Sequence, residues 1–210
     1  PHHGYIVKMD QEALILVEGN AESDLSVDLP SGWFTIPVLA QNAVSSSALF
    51  GQLDPHLVIV KEIAGNRIWW PAMGVFSLTN AEPGKSYQVL LTAADALDFT
   101  AFNAPVQAGP ANNELNELAN DTPWNDVEFT GVSHTIAIDK GAWDNLAGIG
   151  FGDYLGVFTQ NGLCAGMTIY TGNREPLSIT AFGDDFTSTS SVEGFADNEY
   201  MSFRLFRPST

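Results

Sequence analysis

Gly183-Asp184-Asp185-Phe186-Thr187, then Gly194-Phe195-Ala196-Asp197-Asn198-Glu199, then Met201-Ser202-Phe203-Arg204-Leu205-Phe206 decides the fold class. An acidic loop bearing glycines feeds a stretch that alternates large apolar with other residues. Alternation at a period of two marks a strand with one face buried. Loops of this kind sit at the ends of β-sandwiches in secreted proteins, where they bind a cation, a partner or nothing. The run therefore predicts an extracellular-type β module and points to no reaction.

Outward from this run, strand signals dominate. Val, Ile, Phe, Thr and Tyr cluster in short runs separated by Gly, Asn, Asp and Pro. In the first half the expected strands are 5–9, 13–17, 25–29, 32–38, 57–62, 67–71 and 86–92. In the second half they are 127–129, 134–138, 154–159, 164–170, 177–182 and 201–206. Ala64-Gly65-Asn66 and Gln160-Asn161-Gly162 read as hairpin turns. Helix signals are sparse. One short helix is expected over 45–53, capped by serine with Ala48, Leu49 and Leu53 inward, and another over 113–119. The stretch 101–123 is rich in Asn and Pro and reads as a connector. The expected organisation is all-β: two β-sandwich modules, jelly-roll or Ig-like, with little helix. They occupy 1–100 and 124–210.

Composition narrows the partners. The chain has 210 residues, with 25 acidic against 8 basic side chains and a net charge of −17. Nucleic acid and anionic membranes are disfavoured, because both need a basic face. Cations, neutral glycans and basic proteins stay open. No apolar window is long enough for a membrane-spanning helix, so no membrane insertion is expected. A lone cysteine, Cys164, excludes an intrachain disulfide. It lies in an apolar run and reads as a small buried residue. No signal peptide is evident, and Pro1-His2-His3-Gly4 reads as a processed or engineered start.

Gly32-Trp33, Ile36-Pro37-Val38, Leu57-Val58-Ile59-Val60-Lys61, Gly65-Asn66, Trp70-Pro71-Ala72 and Gly84-Lys85-Ser86-Tyr87-Gln88-Val89 together resemble a module recurring in large secreted proteins of Bacteroidetes-type bacteria. Gly152-Asp153-Tyr154-Leu155-Gly156-Val157-Phe158, Gly162-Leu163-Cys164-Ala165-Gly166, Ala181-Phe182-Gly183-Asp184-Asp185 and Gly194-Phe195 resemble a companion β module that often precedes a type IX secretion sorting domain. The resemblance covers roughly residues 30–100 and 125–208. It implies a location outside the cell, or on its surface, and a role in adhesion, display or assembly. The sequence departs from the pattern after Arg207-Pro208-Ser209-Thr210, where no sorting domain follows. On the resemblance, that domain is cleaved off or lies outside this piece.

Three sets of residues are candidate sites. Asp184, Asp185, Glu193, Asp197 and Glu199 could supply hard oxygen ligands to calcium, though not at EF-hand spacing. The alternative is a solvated loop whose carboxylates cap turns. Trp69 and Trp70 are adjacent, so a strand sends them to opposite faces, and Trp70 is a candidate stacking platform for a sugar. Trp124 and Trp143, in loop-like surroundings near Asp126 and Asp144, are further glycan candidates against a packing alternative. Finally, Ile6 and Val7, with Leu14, Ile15 and Leu16, form short apolar runs. They could pair within their own chain or add to the open sheet edge of a second copy. The histidines stand apart from any nucleophile motif and Gly-x-Ser-x-Gly is absent, so no enzyme is expected. The expected function is a non-enzymatic extracellular structural or adhesive protein that assembles with copies of itself or with other surface proteins. The runner-up is a calcium-dependent carbohydrate-binding module.

Overall fold

The computed structural model describes residues 2–5, 7, 9, 11, 14, 23–63, 65–103, 121–185, 187 and 191–208. The chain is all-β, with strands in several sheets and little helix. Its elements run β1 (Ser26–Leu29), β2 (Gly32–Pro37), β3 (Val44–Ser45), α1 (Ser46–Phe50), β4 (Leu57–Glu62), β5 (Ile68–Trp70), β6 (Val75–Phe76), β7 (Asn80–Ala81), β8 (Ser86–Leu91) and β9 (Asp95–Asp98). They continue with β10 (Ser133–Ile138), α2 (Lys140–Asn145), β11 (Tyr154–Phe158), β12 (Cys164–Ile169), β13 (Leu177–Phe182) and β14 (Ser202–Phe206). Packing divides the chain into two compact units. One takes in Pro1–Ile63, Arg67–Pro71 and Phe76–Ala111, the other Ala64–Asn66, Ala72–Val75 and Asn112–Thr210.

The first unit is organised by a five-stranded sheet in the order β2-β8-β4-β5-β6, joined by the small pairs β1-β9 and β3-β7. β8 shows why the sheet forms. Tyr87, Val89 and Leu91 are buried at every second position, while Ser86, Gln88 and Leu90 turn to the other face. The buried set joins Ile36, Val60, Leu49, Phe50, Leu78, Leu97 and Phe99 in one hydrophobic core. α1 lies within 45–53 and continues as a 3-10 turn, Gly51–Leu53. Leu49 and Leu53 are buried as expected. Ala48, however, is exposed and Phe50 takes the inward position. Ser45 does not cap the helix with its side chain. It is still in β3, opposite Asn80, and its Oγ lies 2.8 Å from Ser47 Oγ.

In the second unit β11 is central to a three-stranded antiparallel sheet, β12-β11-β14, and β10 pairs antiparallel with β13. Leu155 and Val157 of β11 share a core with Ala165 of β12, Ile179 and Ala181 of β13, and Trp143 of α2. The arrangement is sandwich-like: side chains from both sheets meet in one cluster. Tyr154 and Phe158 face the other way and pack with Cys164, Met167, Trp124 and Phe206. The Asn161-Gly162 turn joins β11 to β12, with Gly162 at φ +86° and its N–H donating to Thr159 O at 3.0 Å.

Several expectations differ from the structure. Residues 127–129 form no strand, and neither do the described residues of 5–9. α2 was not foreseen, and β9, with its sequence Asp-Ala-Leu-Asp, is a strand only because β1 pairs with it. The expected helix at 113–119 and most of the connector 101–123 lie outside the described residues, as do all of 13–17 except Leu14. Among the described residues no helix is long and apolar enough to cross a membrane.

Candidate functional site

The acidic loop is built on a close backbone approach. Gly183 and Phe195 form a parallel bridge, with Asp184 N donating to Phe195 O and Phe195 N to Phe182 O, both at 2.9 Å. A Cβ on Gly194 would stand 2.2 Å from Phe182 O, so only glycine fits there. The carboxylates then serve the backbone. Asp184 Oδ1 accepts from Glu193 N at 2.9 Å. Asp185 Oδ1 accepts from Thr187 N at 2.9 Å and from Thr187 Oγ1 at 2.7 Å. Glu199 accepts from Gln160 N at 2.7 Å and from Ala196 N at 3.0 Å, pinning the β11–β12 turn. Asp197 lies in the turn where Asn198 takes φ +62°. Among the described residues no three His, Cys, Asp or Glu side chains converge as a metal-holding group. These are the contacts of carboxylates closing turns.

The tryptophans sort by burial. Trp143 sits in α2, is 2% exposed, and donates from Nε1 to Glu175 O at 3.0 Å. Its ring packs 4.8 Å from Tyr170. The expectation of a loop-borne glycan platform is therefore corrected: Trp143 is core. Asp139 makes this possible by capping the helix, its Oδ1 accepting from Ala142 N at 2.9 Å. Trp124 is half-buried, edge-on to Phe158 at 5.0 Å and to Phe206 at 6.0 Å. A Cβ on Gly156 would meet its ring at 2.7 Å, so Trp124 fills the gap that this glycine leaves. Trp70 in β5 is half-buried, and so is Trp69, which packs 4.5 Å from Phe76.

The exposed indole is one the sequence reading passed over. Trp33 in β2 is 52% exposed. The register sets Trp33 opposite Leu90, Thr35 opposite Gln88, and Gln88 opposite Lys61. Trp33, Thr35, Gln88 and Lys61 thus share one face of the sheet. Lys61 Nζ lies 5.2 Å from the Trp33 ring centroid. Burial holds the Lys61 ammonium below its ordinary pKa. A groove of about 470 Å³ opens beside the strand, lined by His3, Gly4, Tyr5, Trp33, Phe34, Thr35 and Gln88. The signal was present in Gly32-Trp33-Phe34-Thr35-Ile36, where a period of two separates Trp33 and Thr35 from Phe34 and Ile36.

The groove brings in the N-terminal residues. Gly4 N donates to Thr35 O at 3.3 Å, and the His3 ring lies 5.1 Å from Phe34. A Cβ on Gly4 would come within 2.5 Å of Ser86 Oγ and 2.7 Å of Thr35 Cγ2. Tyr5, Val7, Met9 and Leu14 are exposed. Ile6, Ile15 and Leu16 lie outside the described residues. β2 ends its sheet, and β14 ends the sheet of the second unit. At β14, Tyr200 is 82% exposed, with Met201 and Phe203 exposed beside it. His56 has Nδ1 3.1 Å from Asp95 Oδ2. Thr92 N donates to His56 O at 2.9 Å, so the pair ties the start of β4 to the β8–β9 turn. Comparison with known protein families, with curated proteins and with solved structures finds no match to this chain.

Proposed function

We propose that this chain is a non-enzymatic structural or adhesive protein of the cell surface or extracellular space, and that it assembles with copies of itself through its sheet edges. The observation that carries this reading is the pair of terminal strands, β2 and β14, each flanked by exposed large apolar side chains: Trp33 at one, Tyr200, Met201 and Phe203 at the other. Monomeric proteins blunt such edges with charge, proline or bulges. β2 has only Pro37, at its end. The charge on β14 is Arg204, whose guanidinium lies 4.2 Å from the Phe158 ring centroid. The resemblance to surface modules agrees with this reading. Light scattering on a sizing column at physiological salt tests it. Filaments or defined oligomers are expected, and a monomer at every concentration would overturn it.

A second reading, a calcium-dependent carbohydrate-binding module, is favoured by one observation. The exposed face of Trp33 adjoins hydrogen-bonding Thr35 and Gln88 in an open groove, the combination that stacks and orients a sugar ring. The calcium component rests on the acidic loop. Saturable quenching of tryptophan fluorescence by a glycan, lost in Trp33→Ala, is the result the carbohydrate part requires, and a melting temperature lowered by chelator is the result the calcium part requires.

A further inference from the structure

We infer that the β2 edge, from Trp33 to Thr35, is the acceptor for the N-terminal residues His3-Gly4-Tyr5 of a second copy of this chain. The inference rests on the self-assembly reading and identifies the surfaces that meet. The complementarity is visible within one chain. Gly4 N reaches Thr35 O at the outer edge of β2, the His3 ring packs on Phe34, and Gly4 fits against Thr35 and Ser86 only because it lacks a Cβ. The same contacts are available to the same residues of another copy, which is the basis of segment exchange.

Three observations favour exchange over a settled contact within one chain. First, among the described residues a single backbone hydrogen bond, 3.3 Å long, joins the segment to this edge. Second, Tyr5, Val7 and Met9 recur at every second position, as they would along one face of an added strand, and all three are exposed. Third, charge does not oppose it. Residues 1–9 carry Lys8, two histidines and no acid, so they add nothing to the repulsion between copies of net charge −17. The covalent tether favours the contact within the chain at low concentration, so exchange is driven by concentration. Because the donor segment of one copy meets the acceptor edge of the next, the contact is head-to-tail. It closes into rings or extends into filaments.

Cysteine cross-linking between copies tests this. His3→Cys and Phe34→Cys are placed on separate copies, both carrying Cys164→Ser, and are mixed at the concentration where light scattering shows assembly. Mild oxidation should give an inter-chain disulfide in the mixture at a yield several-fold above either variant alone. Adding Gly4→Val to the His3→Cys copy drives a branched side chain into Ser86 and Thr35, and should weaken docking about tenfold or more. A disulfide that forms only when both cysteines sit on one chain would overturn the inference, because the segment then seats on its own edge. Oligomers that persist without any cross-link would also overturn it, while leaving self-assembly standing through another edge. A monomer under all conditions would sink both readings together. A glycan that binds the Trp33 groove with no cross-link in the mixture would assign the groove to sugar and overturn the inference as well.

Discussion

Gly166 and Gly194 each stand where a Cβ would sit 2.2 Å from a backbone carbonyl oxygen, of Thr180 and Phe182 respectively. Real Cβ atoms do not approach so closely, so a larger residue must push strands apart. Gly166→Ala forces β12 away from β13 and is expected to cost about 3 kcal/mol. In a unit of roughly 100 residues that is a Tm drop on the order of 10 °C by scanning calorimetry. Gly51 is the control. It has φ −61° and nothing within 4 Å of its would-be Cβ. Gly51→Ala should raise stability by about 0.5 kcal/mol, by removing freedom from the unfolded chain. Equal losses at the two positions would refute the steric account. Individual residues were also where the sequence was hardest to read. Trp143 and Trp33 are the same residue type, each beside a glycine or small residue. A short helix carries one inward, and an edge strand leaves the other in water. Which of them is core depends on partners far along the chain.

The β4–β5 hairpin shows an element held by charge as well as packing. Arg67 donates from Nε to Glu62 Oε1 at 2.9 Å and bonds the same oxygen through Nη2. It also reaches Glu82 at 3.2 Å, and Lys85 Nζ sits 3.0 Å from Glu82. Glu62 is almost wholly buried. Arg67→Met is expected to destabilise the first unit by about 3 kcal/mol, measured by urea unfolding, because it leaves that buried carboxylate without the guanidinium that bonds it twice and with Lys85 Nζ 3.6 Å away. The network also fixes a pH response. Burial alone would raise the Glu82 pKa, but Lys85 and Arg67 outweigh it and hold the carboxyl below 4.5. A depressed folded-state pKa stabilises above the unfolded value, so this contribution is lost as pH falls through the folded one. At the alkaline end, burial pushes the Tyr87 phenol up to about 12 from 10.0. Its contribution is present below pH 10 and is lost as pH rises from 10 to 12. Tyr87→Phe should flatten that alkaline decline in a Tm–pH series. An unchanged slope would assign the decline to other groups. At this scale the sequence was most legible. The strands at 57–62 and 177–182 match the expected bounds because each is a short run rich in apolar and β-branched residues, buried over most of its length. β9 was illegible because its own propensity opposes a strand, and α2 because six residues containing Gly141 carry little helical signal.

Over the whole chain, the strand order β2-β8-β4-β5-β6 decides which backbone groups face outward. The terminal place of β2 in that order is set by pairing between residues far apart in the chain, as in Trp33 with Leu90. Composition and alternation identify strands but are blind to which ones end a sheet. For this reason the all-β class was readable in the sequence, while the terminal position of β2 was not. Charge, by contrast, is read directly and makes a prediction of its own. Each copy carries −17, and like-charged copies repel over a Debye length that shrinks from about 30 Å at 0.01 M salt to about 8 Å at 0.15 M. The contacts proposed at β2, meanwhile, are a backbone hydrogen bond and apolar packing, which salt does not weaken. Assembly should therefore be suppressed at 0.01 M salt, appear near 0.15 M, and persist at 1 M. Static light scattering across that range, at fixed protein concentration, checks it. Dissociation on raising salt to 1 M would mean that ion pairs join the copies, and the apolar edge would then be the wrong surface.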